Sequence, residues 1–441
     1  MTLTDESPQQ QPPPPPPRRP APLGGMTEPE QRSALVRLVL IIAAAVIATE
    51  VTGVTKTVAV VVAIFVMIML HEFGHFITAK WAGMKVTEFF VGFGPRIWSI
   101  RRGETEYGVK AIPVGGYCKI IGMTNLEPVD PDDEPRAYRN KPYWRRLSVA
   151  VAGSFMHFLI AFCLLVGLNS VVGVEGNPTL QVGGIIALTT GQSPAQQAGF
   201  KVGDHIVSVD GKPFKSWDDL RVYIGEHPGQ TLHFVARRGS QTVELDPTTV
   251  DLSRVHLAGN NSVATPTQPT GFVGLESSVP TIHYSLVTSI GHAVTGVGRG
   301  IVGSVKGLAS LFTPSGVSSY SNELAGHGSS TPQPNQPRFL SPVGFVTVAG
   351  QAAKQGLRTV FVLLILINLF VGVFNMVPLL PFDGGHVAIA TYERIRSRRN
   401  RPYHADVAKM LPATYVVLMV LAFIFLSSLY LDVSHPVHLF Q

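Results

Sequence analysis

His71-Glu72-Phe73-Gly74-His75 is the stretch whose residue types and spacing can do chemistry. On a helix, two histidines four positions apart share one face and can hold a single Zn²⁺, while a glutamate beside the first can take a proton from metal-bound water. Taken alone, the pentapeptide is equally well two histidines on an ordinary helix. Its setting argues for the metal, because it closes the apolar run TVAVVVAIFVMIMLHEFGHF that begins at Thr57. Imidazoles and a carboxylate in such a segment are costly to desolvate and are kept in membranes mainly when paired or functional.

A hydrolytic zinc site needs three protein ligands and an open position for water. The best candidate for the third ligand lies far along the chain, in Asn375-Met376-Val377-Pro378-Leu379-Leu380-Pro381-Phe382-Asp383-Gly384-Gly385-His386, where Asp383 is almost the only acidic group. Without the His71 motif, this stretch would read as a helix-ending turn with Asp383 as an ordinary cap. The two cysteines, Cys118 and Cys163, are too few for a disulfide framework or a CxxC zinc site, so any metal must use histidine and carboxylate.

The elements that must position these groups are set by composition. Of the 441 residues, 45% are hydrophobic and 15% charged, against roughly 25% charged in soluble domains; the mean hydropathy is +0.24. This is the composition of a polytopic α-helical membrane protein. The net charge of +6 comes from basic residues beside apolar segments, without an aromatic-interleaved patch, so it reads as orientation in the bilayer and not as nucleic-acid binding.

Residues 1–32, with six consecutive prolines, have the composition of a disordered cytoplasmic tail. Residues 33–54 form an extra transmembrane helix, with Arg37 snorkelling. The HExxH helix spans 57–79. Residues 80–146 carry twelve Lys and Arg from Lys80 to Arg146, which places this loop on the cytoplasmic side. Within it, the glycine-punctuated VTEFFVGFGPRIWSIRRGETEYGVKAIPVGGYCKIIGM suggests short strands in hairpins, with an edge that either pairs with an extended peptide or serves only the loop's own fold.

A second spanning helix follows at 147–168; its His157 reads first as a bond to another helix and second as a neighbour of the metal. Residues 175–250 change to short β-rich runs around SWDDLRVYIGEH, a small soluble domain on the far side. Residues 280–312 fit an interfacial amphipathic helix and 313–340 a flexible linker. Further spans are expected at 357–380, leading into the Asp-Gly-Gly motif, and at 411–431.

The run Ser193 to Ile206, followed by Val209-Asp210-Gly211, resembles the core of a bacterial PDZ domain, which implies either peptide binding by strand addition or a steric screen. From Thr57 onward the chain resembles the site-2 protease family of intramembrane zinc metalloproteases (M50 type), with HExxH in one helix, an inserted PDZ domain, and an Asn-Pro-Pro-Asp-Gly-Gly motif in a later helix. Through KVTEFFVGFGP, RRGETEYGVKA, LLPFDGGH and LPATYVV it is most similar to the actinobacterial proteases of regulated intramembrane proteolysis.

The resemblance implies zinc on His71, His75 and Asp383, Glu72 as general base, and Asn375 and Pro378 holding the unwound substrate backbone. It also implies a plasma-membrane location, with the PDZ domain extracytoplasmic and the active site near the cytoplasmic side. Substrates would be single-pass membrane proteins such as anti-sigma factors or remnant signal peptides, reached among membrane lipids. One departure is His157, where family members often carry Asn in a GxxxN motif. A rival reading is a non-catalytic PDZ scaffold or chaperone with a structural metal; closure by four ligands would be expected there, and the motifs supply three.

Overall fold

The computed structural model describes residues 27–123, 128–189, 191–255, 257, 266, 268–325, 339–397 and 403–434. The first helix, α1 (Glu28–Thr52), starts inside the segment expected to be an unpacked tail. Thr27 and Glu30 form a capping box, with the Thr27 backbone N–H donating to Glu30 Oε2 at 2.8 Å, and Pro29 lies in the first turn; together these nucleate the helix ahead of the apolar run. The proline run falls in 1–26, outside the described residues. Next, α2 (Thr55–Trp81) carries the HExxH pentapeptide in its second half.

The basic loop after α2 holds one long hairpin, β1 (Val86–Arg102) and β2 (Thr105–Ile120), where several short hairpins were expected. The two strands are bent on themselves, so that Glu88–Val91 is paired on both sides, to Gly116–Lys119 and to Glu106–Val109. Glycine at Gly92 and Gly94, both at positive φ, permits the bend. Glu104 at the hairpin turn accepts from Lys80 at the end of α2 (2.6 Å) and from Arg136 (2.8 Å), which ties the hairpin back to the helix. Its hydrogen bond from Arg136, reinforced by Lys80, holds the Glu104 carboxyl down at about 2.

The following helix, α3 (Tyr143–Gly167), begins a turn before the expected boundary and continues as a π-turn to Val172. The domain that follows does not stop at residue 250. Its strands are β3 (Val174–Glu175), β4 (Val182–Ile185), β5 (His205–Val209), β6 (Lys212–Pro213), β7 (Phe234–Arg238), β8 (Gln241–Leu245), β9 (Val250–Asp251), β10 (Gly271–Phe272), β11 (Leu275–Ser277) and β12 (Thr281–Ile282), with helices α4 (Pro194–Gln197) and α5 (Trp217–Gly225) between them. Strand β11 pairs with β4, β12 with β3, and Val273 enters the core beside Phe200, Ile206 and Phe234, so the folded unit closes only at Ile282.

Beyond it, the start of the expected interfacial helix is strand β12, and α6 (Leu286–Leu311) packs Ser289, Ala293, Gly296 and Gly300, one face of small residues, toward the spanning helices; Gly296 meets Leu165 of α3, and Gly300 meets Leu369 further on. Such residues let helix backbones approach. The expected linker at 313–340 contains a helix, α7 (Pro314–Leu324), capped by Thr313 with Pro314 in its first turn; residues 326–338 lie outside the described residues. An unforeseen helix, α8 (Pro342–Gln355), too short and mixed to read as a span, buries Val348, Ala349 and Ala352. Then come α9 (Leu357–Asn375), α10 (Asp383–Arg396) and α11 (Leu411–Ser434).

Among the described residues, five helices are long and apolar enough to cross a membrane: α1, α2, α3, α9 and the segment Val407–Ser434. Helix α3 is the hub, packing against α2, α6, α9 and α10.

Candidate metal centre

Histidines 71 and 75 project from α2 toward α3, and both are buried. They fit only because α3 presents Gly153 at that level. A Cβ there would stand 2.5 Å from His71 Nε2 and closer still to His75 Nε2. One turn away the helices touch through Gly74, where a Cβ would lie 2.7 Å from the Ala152 carbonyl oxygen.

The third group arrives with α10. The chain leaves α9 at Asn375, turns through residues 376–382 and starts a new helix at Asp383, which puts that carboxylate against the two imidazoles. His71 Nε2 and His75 Nε2 are 3.2 Å apart, and Asp383 Oδ2 lies 3.4 Å from the first and 3.2 Å from the second. Two helices more than three hundred positions apart in the chain thus bring these three side chains to one point.

His75 Nδ1 sits 2.8 Å from the Val149 carbonyl oxygen, which can only accept, so Nδ1 carries a proton and in the neutral ring Nε2 is the nitrogen free to bind a metal. Asp383 Oδ2 is buried with no hydrogen-bond donor. Three potential ligand atoms therefore meet in one buried place, an arrangement that a shared cation would satisfy. With sides of 3.2, 3.2 and 3.4 Å, each donor atom is about 1.9 Å from the triangle's centre, close to the 2.0–2.2 Å of Zn–N and Zn–O bonds. The residues present fit a zinc ion bound by two imidazoles and a carboxylate, with the side away from them left for a fourth ligand.

Around this triangle stand groups with other duties. The Glu72 carboxylate is half-buried and lies close to the backbone of Cys118 in β2, so the hairpin comes up beside the general-base candidate. Burial, with the Glu72 charge beside it, pushes the Cys118 thiol well above its usual value. His157 satisfies both of its alternative readings: its Nδ1 is 2.8 Å from Asn368 Oδ1 of α9, and its ring centroid is 5.0 Å from that of His71. The departure from asparagine at this position keeps an interhelical polar bond. Asn375 closes α9 and Pro378 lies in the following turn, beside the ligand helix and outside the three converging donors.

Sequence reasoning missed His386, one turn along α10 from Asp383 and edge-on to the Tyr138 ring at 6.3 Å; burial pushes its pKa down. It also missed the buried pair Arg146–Glu393. The only signal available for either was helical spacing from Asp383 and from Gly153.

Comparison with known proteins is consistent with this geometry. The model of peptidase family M50 matches residues 59–422. The zinc metalloprotease Rip1 of Mycobacterium tuberculosis is 35% identical over 412 residues, covering 88% of this chain and 99% of that protein. Its namesake in Mycolicibacterium smegmatis is 35% identical over 407 residues, covering 86% and 97%. Among solved structures, the PDZ domain of an SdrC-like protein from Listeria monocytogenes aligns with 24% of this chain and 88% of its own at 19% identity, with a TM-score of 0.17, too low to bear on the fold.

Proposed function

Since the chain belongs to peptidase family M50 and is a multi-pass membrane zinc metalloprotease of the site-2 type, we propose that it cleaves single-pass membrane proteins at a peptide bond brought between α2 and α10. The observation that carries this reading is the convergence of His71, His75 and Asp383 on one point between membrane-grade helices. His71 Nε2, His75 Nε2 and Asp383 Oδ2 would hold the zinc, which when bound supplies Lewis acidity toward water and toward the carbonyl under attack. Glu72 accepts the proton of the attacking water and returns it to the departing amine.

A helical substrate hides its carbonyls in its own hydrogen bonds, so it has to unwind before it can react, and the backbone groups released need partners. In this reading the hairpin segment beside Glu72, together with Asn375 and Pro378, supplies them. The basic loop puts the site near the cytoplasmic face and the β-rich domain, read as PDZ, outside. Anti-sigma factors and remnant signal peptides are substrates of suitable form.

The test is cleavage of a co-expressed, doubly tagged single-pass substrate. Glu72→Gln removes the base while keeping shape, and is expected to lower the rate by about 10²–10⁴ while zinc content and expression stay as they were. Undiminished cleavage would overturn the mechanism.

A further inference from the structure

Helix α10 is a short helix on which everything depends, since Asp383 must meet two histidines of another helix to within a fraction of an ångström. Along the face it turns to α3 stand Asp383, His386, Ala390 and Glu393, at helical spacing. Ala390 is fully buried, and alanine or glycine at a helix interface permits close approach without marking one axial position over the next. Sliding by one turn, about 5.4 Å, would carry the carboxylate out of reach of both imidazoles.

What does mark the position is charged. Arg146 of α3 donates to Glu393 Oε2 at 2.5 Å, with 8% and 4% of the two residues exposed. The second carboxylate oxygen, Oε1, accepts from the backbone N–H of Ala405 at 2.7 Å, which fastens the chain leading to α11 to the same point. Tyr138 fixes the other partner: its hydroxyl donates to the Arg146 carbonyl at 3.2 Å, and its ring lies under the guanidinium, 5.9 Å from the centroid.

On α3 the residues that engage the site follow one stripe. Arg146 grips α10, the Val149 carbonyl orients His75, Gly153 admits both imidazoles, and His157 reaches Asn368 beside His71. Resting on the metal centre proposed above, we infer that Arg146 and Glu393 are positioning residues: their buried ion pair pins α10 in register on α3 and so delivers Asp383 to the zinc. A buried ion pair adds little net stability, and fixing register is its best-attested use.

The experiment uses the full chain in nanodiscs. Three forms are compared: wild type, the apolar pair Arg146→Met with Glu393→Leu, and Arg146→Lys, which keeps the charge and loses the planar fork. The readouts are zinc retained against a chelator series, and kcat and KM on the model substrate. Outer partners of zinc ligands are typically worth 10–100-fold in affinity or activity. The apolar pair is expected to lose zinc at chelator concentrations 10–100-fold lower and to lose kcat by a similar factor with KM unchanged; Arg146→Lys falls between.

Tyr143 of α3 and Thr391 of α10 face each other, their hydroxyls 3.4 Å apart; in a background with Cys118 and Cys163 replaced by serine, adding Tyr143→Cys and Thr391→Cys to the apolar pair and bridging them with a short bis-maleimide restores zinc retention, because the covalent link replaces the pin. Zinc retention equal to wild type in the apolar pair, or no recovery after complete cross-linking, overturns the inference. Where the apolar pair does not fold, Arg146→Lys decides, and wild-type retention there overturns it. A wild-type protein that holds no zinc would instead defeat the metal centre itself.

Discussion

The inserted domain and the spanning bundle are held together by different physics. In the domain, the fully buried side chains are large and apolar, Phe234, Ile206, Leu220, Leu232 and Val209 among them, and the buried carboxylate of Asp204 is answered by Arg238 and by the Lys201 backbone N–H. In the bundle, the residues sealed between helices are mostly alanine and glycine or polar: Ala150, Ala161, Ala349 and Ala352, with His157 and Asn368. Water drives the first by expelling apolar surface. Between helices in lipid that drive is absent, so close approach and polar bonds do the specifying. The same small and polar positions in the bundle therefore build both the packing and the site, whereas the domain's core is remote from the chemistry.

Gly153→Val is the sharpest way to exploit that difference. Its side chain would occupy the space of both imidazoles, so zinc and cleavage should both be lost, by about 10³-fold in activity, more than outer partners of zinc ligands are typically worth; zinc analysis of the folded protein checks it. Phe234→Ala is the matched change in the domain. Truncating a fully buried phenylalanine typically costs about 3–5 kcal/mol, here of domain stability alone. Hydrogen exchange of β5 and β7 amides should rise sharply while zinc content is unchanged. A zinc-free Phe234→Ala protein would break the comparison.

How much of this could be read beforehand follows the same division. HEFGH and the Asp-Gly-Gly stretch were legible because metal chemistry restricts residue type and spacing, and the spans because the bilayer fixes length and hydropathy. The role of Gly153 was not, since glycine in an apolar helix says that something approaches and not what. Helix α8 escaped because fourteen residues with Gly, Gln and Lys suit neither a span nor a loop. The domain's closing strands escaped for another reason: β11 and β12 are two or three residues long and owe their existence to partners ninety or more positions earlier, a tertiary effect that local pattern cannot carry.

Acid sharpens the comparison next. The hydrogen bond from Arg238 holds the Asp204 carboxyl below its ordinary value. A lowered carboxylate contributes stability that is fully present above its unfolded pKa, about 3.9, and is lost as pH falls through the lowered folded value. Exchange protection in β5 and β7 should therefore decline below about pH 4. Arg238→Met removes the main cause, so its protection should be weaker at neutral pH and flatter across the acid range. A variant with an unaltered acid profile would mean that Asp204 is held by the Lys201 N–H alone.

The smallest effect is expected at the seam between the two regions. Arg358, near the start of α9, donates to Glu175 of β3 at 2.7 Å and to Thr281 Oγ1 of β12 at 3.0 Å, joining a spanning helix to the domain's first and last strands. Glu175 is largely exposed, and exposed ion pairs contribute about 0–1 kcal/mol and less at high salt. Glu175→Gln should accordingly shift domain protection by under about 1 kcal/mol, with the shift shrinking in 1 M salt as the Debye length falls to about 3 Å. Zinc retention and kcat should not move. Two regions stabilised by separate means need no strong joint between them, and a loss of several kcal/mol at this one exposed pair would mean that domain and bundle fold as a single cooperative body.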